Sequence, residues 1–147
     1  MKMTKKNRNY SAELVSCSKN HIDILYELLK KREFSISHRQ IPSYMEHREF
    51  VIGNPYRAWF LIKNSEDYIG SLYLKEDNSI GINVQSQNIE LISWCLNFIK
   101  ENYLPEKSIK TLIPDYFYIN VPFENKKLKS NLTKLKFQPI QTSFRVG

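Results

Sequence analysis

The stretch "YRAWFLIKNSEDYIGSLYLKEDNSIGINV" (residues 56–84) decides the fold, because it holds three short runs of strand-forming residues between turn clusters. The runs cover residues 56–63, 68–75 and 79–84, and aromatic and branched aliphatic side chains dominate them. The clusters "NSED" and "EDN" separate the runs and are typical of tight turns. The pattern predicts a meander of three antiparallel strands.

The residues before this meander predict one strand and two helices. A short strand is expected at residues 12–17. Apolar residues at helical spacing then predict a helix from an N-cap at Asn20 to about Arg32, with Asp23 in its first turn. A second helix is predicted to begin with Pro42 as its first residue and to end at Gly53.

The residues after the meander predict two more helices, and each of them is followed by a strand. Residues 89–103 predict a deeply buried helix with Ser86 or Asn88 as its cap. Residues 109–121 predict a strand interrupted at Pro114, residues 124–136 an amphipathic helix, and residues 137–146 a final strand. The order β-α-α-β-β-β-α-β-α-β predicts an α+β fold, with a mixed central sheet flanked by helices.

Length and composition predict one globular domain. The chain has 147 residues, of which 41% are hydrophobic and 25% charged, and we assign residues 11–147 to a single domain after a basic flexible tail at residues 1–10. The longest apolar run, "AWFLI", is too short for a membrane span. Cys17 and Cys95 have neither a disulfide framework nor metal-site spacing. We therefore expect a cytoplasmic protein without a metal or a membrane partner.

Glycine placement excludes several nucleotide-binding classes. The four glycines are Gly53, Gly70, Gly81 and Gly147, and no two of them lie close together in the sequence. A P-loop and a dinucleotide-binding loop both need clustered glycines, because the backbone must approach phosphate closely. Kinase, GTPase and Rossmann-type functions are therefore excluded.

The net charge of +7 is concentrated in two places. The first ten residues carry +4 and residues 124–136 carry another +4, so the rest of the chain carries −1. The lysine face between Lys126 and Lys136 could meet phosphates of any kind, those of a nucleotide cofactor included. A nucleic-acid-binding domain that uses this face is one of three hypotheses for function.

The element order, together with "SYMEHREFVIGNPYRAWFLIKNSEDYIGSLYLKEDNSIGINV" (residues 43–84), resembles the GNAT superfamily of acyl-CoA N-acyltransferases. In the family's pyrophosphate motif, Q/R-x-x-G-x-G/A, Gln87 takes the first position, and Glu90 and Ile92 stand at the glycine positions. In the family's last-helix signature, "NKKLKSNLTKLKF" keeps Asn125, and Leu132 stands where a proton-donating Tyr is usual.

The resemblance implies an N-acetyltransferase that moves an acetyl group directly from acetyl-CoA to the amine of a small molecule, such as an amino sugar. It implies that four residues line the acyl site or contact the cofactor: Asn83, Val84, Gln87 and Asn125. A free Glu90 carboxylate would oppose the incoming pyrophosphate. The second hypothesis is a catalytically degenerate GNAT-like module with a binding or regulatory role.

Four residues are candidates for moving the proton of the acceptor amine or of the leaving thiolate. Tyr116 and Tyr118 lie beside the predicted fifth strand, and a tyrosine there could replace the missing acid. Glu46 and His47 lie on the second helix, where the resemblance places the acceptor pocket. The alternatives are that the tyrosines are core residues and that Glu46 and His47 are exposed on a surface helix. Homo-oligomer formation and the identity of the acceptor stay open.

Overall fold

A computed structural model describes residues 8–32, 41–107 and 114–147. The described residues form five strands and four helices, which we number in chain order. They are β1 (Tyr10–Leu14), α1 (Lys19–Lys30), α2 (Tyr44–Gly53), β2 (Ala58–Asn64), β3 (Asp67–Leu74), β4 (Ser79–Val84), α3 (Ile89–Asn102), β5 (Tyr118–Ile119) and α4 (Lys126–Lys134). The predicted α+β class is confirmed, and so is the meander of β2, β3 and β4.

The five strands form one mixed sheet in the order β1-β2-β3-β4-β5. Neighbouring strands from β1 to β4 pair antiparallel. β5 pairs parallel to β4 because α3 carries the chain back before β5 begins. β4 therefore lies between β3 and β5.

The two faces of the sheet bury separate hydrophobic clusters, because successive strand side chains point to opposite sides. Ala58, Phe60 and Ile62 of β2 pack in a cluster with α3 and α4. Trp59 and Leu61 of the same strand pack with residues of α1 and α2. Helices thus cover both sides of the sheet, with α1 and α2 on one face and α3 and α4 on the other.

Side-chain caps show where the helices begin, and they correct two predictions. α1 begins after Ser18, whose hydroxyl accepts the His21 N–H, so Asn20 is not the cap and Asp23 lies beyond the first turn. α2 begins after Ser43, so Pro42 lies outside the helix. In both helices the serine hydroxyl accepts a hydrogen bond from the backbone N–H three residues later. Because of these caps, α1 begins earlier than predicted and α2 begins later. Of the two predicted caps of α3, Ser86 and Asn88, the structure shows Asn88.

The predicted final strand at residues 137–146 is wrong. Residues 137–147 form neither helix nor strand, and Phe144 and Val146 are 85% and 95% exposed. Two features explain the difference: β5 spans only two residues and offers a short edge, and Pro139 has no N–H for a ladder. The predicted strand at 109–121 shrinks to β5, and residues 109–113 of it lie outside the described residues.

The start of the domain also differs from the prediction. Tyr10, assigned to the basic tail, is the first residue of β1, and the Asn9 N–H donates to the Asn64 side chain over 3.1 Å. Residues 1–7 of the predicted tail lie outside the described ranges.

Asn78, in the turn between β3 and β4, binds the segment that follows α3 and the segment that precedes β5. Its side chain is fully buried and donates to the carbonyls of Glu106 (3.0 Å) and Pro114 (2.7 Å), while its amide oxygen accepts the Glu106 N–H (2.7 Å). The Asn78 carbonyl accepts the Tyr118 N–H over 3.2 Å. These bonds fix the start of β5 beside the start of β4.

Candidate functional site

The candidate site lies where β4 and β5 separate. The two strands pair only at Ser79 with Tyr118 and at Ile80 with Ile119. From Gly81 to Val84, β4 continues to pair with β3, but among the described residues it has no strand partner on its other side. We call this opening the β4–β5 gap. In the described part of the chain, the β4 backbone groups that face this gap have no strand partner, so they can form hydrogen bonds with a bound polar group.

The two faces of the gap differ in chemistry. Ile80, Ile82 and Val84 belong to the apolar cluster under α3 and α4. Gly81 and Asn83 alternate with them and so face the side of α1 and α2. The structure thus places Asn83 and Val84 on the free part of β4, on opposite faces of the sheet.

Two helices begin at the open end of the gap, and α4 and its cap contact the loop that precedes α3. Asn125, the N-cap of α4, accepts the Leu128 N–H (3.2 Å) and donates to the Gln87 side chain (3.4 Å). Asn131 of α4 donates to the Gln87 backbone carbonyl. The structure therefore brings Gln87 and Asn125 together, and Asn125 both caps its own helix and faces the loop between β4 and α3.

Glu90, in the first turn of α3, is not the free carboxylate that the sequence suggests. It forms an ion pair with Arg8, whose side chain lies just before β1 in sequence. The two side chains are 43% and 28% exposed, so the pair lies at the protein surface. The pair neutralises the Glu90 carboxylate and places the Arg8 guanidinium at the N-terminal end of α3.

The candidate tyrosines lie near the closed end of the gap. Tyr118 faces Ser79 across the strand pair, and burial and the nearby Asp77 carboxylate raise the pKa of its hydroxyl. Tyr116 is 48% exposed in the segment before β5. Their roles in catalysis stay predictions.

Glu46 and His47 have structural partners on α2. The Glu46 carboxylate accepts the Ser43 N–H (2.9 Å) and completes the capping box of the helix. His47 is buried rather than exposed, and its Nε2 donates to the Ile22 carbonyl of α1 over 2.9 Å. The expectation that both residues are exposed is therefore wrong for His47. His47 joins the two helices on the side of the sheet that the resemblance assigns to the acceptor.

Sequence reasoning missed Tyr73, which lies on β3 directly opposite Gly81. The tip of its ring occupies the space where a side chain of Gly81 would lie, since a Cβ there would be 1.9 Å from Tyr73 Cζ. The signal in the sequence was a glycine that faces an aromatic residue across two adjacent strands. That signal becomes visible only once the register of the strands is known.

A lysine-rich groove runs along α4, away from the sheet. Its volume is about 530 Å³, and it is lined by Lys126, Lys129, Ser130, Thr133 and Lys134. The Lys126 and Lys129 ammonium groups lie 5.8 and 5.7 Å from the Phe123 ring centre, and Phe123 is 77% exposed. Two of the lysines that line the groove thus also lie close to an exposed aromatic ring.

The Cys95 thiol is not suited to nucleophilic catalysis. Burial raises the pKa of the Cys95 thiol to about 12, so it stays protonated inside α3. Within the described ranges, no group of three or more His, Cys, Asp or Glu residues could hold a metal ion. Nor is any described helix long and apolar enough to cross a membrane.

Comparison with solved structures shows the fold. The chain is similar to an acetyltransferase from Thermus thermophilus, with a TM-score of 0.69, 14% identity and coverage of 92% of this chain and 90% of that one. It is also similar to a dodecameric spermidine N-acetyltransferase from Vibrio cholerae (TM-score 0.59, 16% identity, 90% and 81% coverage). A third is a possible acetyltransferase from Clostridium difficile 630 (TM-score 0.57, 11% identity, 94% and 96% coverage).

The chain therefore has a GNAT-type acetyltransferase fold. No family model and no curated protein matches its sequence. At 11–16% identity, the structural similarities show the fold alone, and the activity depends on the residues of the candidate site.

Proposed function

We propose that the protein is an N-acetyltransferase that moves an acetyl group from acetyl-CoA to the amine of a small molecule, such as an amino sugar. The observation that carries the proposal is the β4–β5 gap, where Gly81 to Val84 lack a strand partner on one side among the described residues. A thioester carbonyl placed there would accept a hydrogen bond from the free backbone of β4. This role needs no particular side chain, so it tolerates the changes in the family's motifs.

The cofactor would enter at the end of the gap where α3 and α4 begin. Gln87 and Asn125 would lie beside the pantetheine arm, because their contact borders that end of the gap. The N-terminal end of α3 and Arg8 would face the pyrophosphate. The lysine groove on α4 would receive the remaining phosphate through Lys126 or Lys129.

The acceptor would approach from the side of α1 and α2, where Gly81 and Asn83 face. Direct transfer needs an unprotonated amine held against the thioester carbonyl. Tyr116, Tyr118, Glu46 and His47 stay candidates for proton transfer there, with Glu46 and His47 already engaged in contacts of α2. Water or one of the tyrosines would have to protonate the thiolate, since Leu132 has no proton to give.

The second candidate, a GNAT-like binding module without catalysis, is favoured by one specific observation. Leu128 and Leu132 are buried in the apolar cluster between α4 and the sheet, so the last helix contributes packing at the position where a phenol is usual. Such a module would bind CoA without turning it over. The lysine face remains compatible with the third candidate, nucleic-acid binding.

One set of measurements separates the three. Titration calorimetry with CoA tests binding, and release of free thiol from acetyl-CoA in the presence of glucosamine, spermidine or tyramine tests transfer. The enzyme binds CoA and releases thiol with at least one amine, whereas the module binds CoA only. A nucleic-acid-binding domain would bind oligonucleotides with an affinity that falls steeply as salt rises, and would ignore CoA. Whether the protein forms a homo-oligomer stays open, and size-exclusion chromatography with light scattering would answer this question.

A further inference from the structure

The Tyr73 ring lies across β4 on the face that points to α1 and α2. Tyr73 and Gly81 are register partners in an antiparallel pair, so their side-chain directions point to the same face of the sheet. A Cβ on Gly81 would lie 1.9 Å from Tyr73 Cζ and 2.3 and 2.4 Å from the two Cε atoms. The hydroxyl-bearing end of the ring, and not the end attached to Cβ, thus lies above Gly81.

This placement gives the hydroxyl a definite position. The Cζ–Oη bond continues the line from β3 over β4, so Oη lies beyond Gly81 on the side of β5. Gly81 is the first residue of β4 after the last β4–β5 pair, Ile80 with Ile119. The Tyr73 hydroxyl therefore lies at the start of the β4–β5 gap.

The surrounding rings keep Tyr73 in this orientation. Tyr56 stacks on it, with ring centres 4.0 Å apart and planes 8° apart. Trp59 meets Tyr56 edge-on at 4.8 Å, and Phe50 of α2 meets Trp59 at 5.8 Å. The stack fixes the ring before any substrate binds, so little ordering is needed on binding.

Tyr73 stays protonated at physiological pH. Burial raises the pKa of its hydroxyl, and a hydrogen bond from Tyr56 and the charge of Arg32 offset part of that rise. A neutral phenol has one proton to donate and lone pairs that accept. It can therefore accept an N–H from an uncharged amine without taking its proton.

We propose that Tyr73 Oη accepts a hydrogen bond from the attacking amine and holds its nitrogen against the thioester carbonyl; this rests on the proposed acetyl transfer. In the reaction, nitrogen forms a bond to the carbonyl carbon, and the C–S bond breaks with its electron pair on sulfur. The proton that nitrogen loses ends on the CoA thiolate. Tyr73 gives and takes no net proton, so it acts by positioning a group that it touches.

The test compares Tyr73→Phe with Tyr68→Phe. The control removes a hydroxyl from another tyrosine of β3, one that donates to Glu13 (2.6 Å) instead of facing the gap. For any amine of the panel that wild type acetylates, Tyr73→Phe should lower kcat/KM by about 2- to 12-fold, the effect of one lost hydrogen bond between uncharged groups. CoA affinity should stay within about twofold, and Tyr68→Phe should change neither quantity.

A second readout requires no amine. In protein with ¹³C-labelled tyrosine rings, the Tyr73 signals are those missing from Tyr73→Phe, and acetyl-CoA should shift them more than CoA does. Gly81→Ala should reproduce the kinetic loss although the hydroxyl is kept, because the added methyl group displaces the ring. CoA binding with unmoved Tyr73 signals, or unchanged kcat/KM in Tyr73→Phe, would overturn the role of Tyr73 alone. Failure of wild type to bind CoA would overturn the proposed function together with it.

Discussion

Replacing Arg8 should weaken CoA binding, because Arg8 balances the Glu90 carboxylate at the N-terminal end of α3. In Arg8→Ala, that carboxylate would face the pyrophosphate without its partner. In Glu90→Gln, the guanidinium would instead be released toward the phosphates. The two variants should therefore change CoA affinity in opposite directions.

The size of the effect follows from the exposure of the pair. Unit charges about 4 Å apart at an effective dielectric constant near 20 interact by about 4 kcal/mol. The Arg8 and Glu90 side chains are 28% and 43% exposed, and salt screens an open surface, so about a quarter of that energy should remain per charge. About 1 kcal/mol corresponds to a roughly fivefold change in Kd.

Titration calorimetry with CoA at low salt should thus give a Kd about fivefold higher for Arg8→Ala and about fivefold lower for Glu90→Gln. The double variant, which has neither charge, should bind about as tightly as wild type. Glu101→Gln is the matched control, because it makes the same change at the other end of α3, about 16 Å along the helix axis from Glu90. All differences should shrink when the titration is repeated at about 0.5 M salt.

One result would refute this reasoning while leaving CoA binding intact. If wild type binds CoA and the three charge variants all bind it equally well, the pyrophosphate does not approach the start of α3. The gap could then still hold the acyl group, but the cofactor would follow another path, such as the lysine groove of α4.

Three further predictions concern stability. Asn78→Ala should lower the free energy of unfolding by about 3 kcal/mol or more in urea denaturation, because it leaves buried backbone groups unpaired and also puts an alanine at a φ of +73°. Asn78→Gly should lower the free energy of unfolding less, because glycine tolerates that φ. Burial would raise the pKa of Asp77, but hydrogen bonds from Ser79 outweigh it and lower the pKa. The ionised form therefore stabilises the fold above about pH 4, and that stability should fade as pH falls further in wild type and be absent in Asp77→Asn. Asn125→Ala should cost about 1 kcal/mol through the lost cap, and a CoA affinity that is unchanged despite this cost would limit Asn125 to capping.

The meander could be predicted from the sequence because its signals are local. Its turns use residues that tolerate a positive φ or accept backbone hydrogen bonds, and Ser65 and Asn78 do adopt positive φ values. The final strand could not be excluded in the same way, since pairing depends on the edge that a neighbouring strand offers. That edge is only Tyr118–Ile119, and its length is a tertiary property.

The candidate site likewise contains residues that could be identified from the sequence and residues that only the structure identifies. Gln87 and Asn125 could be selected because each holds a place in a sequence motif, and the structure puts them in contact. Arg8 and Tyr73 belong to no motif. Their partners, Glu90 and Gly81, lie 82 and 8 residues away in sequence, and only the sheet register and the packing of β1 bring them together.

The two faces of β4 bear on how the proposed acetyl transfer could operate without the usual acid. Under α4, Leu128 and Leu132 are buried in an apolar cluster, so that face supplies packing and no proton. Above Gly81, the Tyr73 hydroxyl supplies a polar atom on the face that an acceptor would use. A site built in this way would depend on positioning and on backbone hydrogen bonds more than on acid catalysis. Its rate should then rise with pH mainly because the acceptor amine loses its proton, and the apparent pKa should follow the amine that is used and not the protein variant.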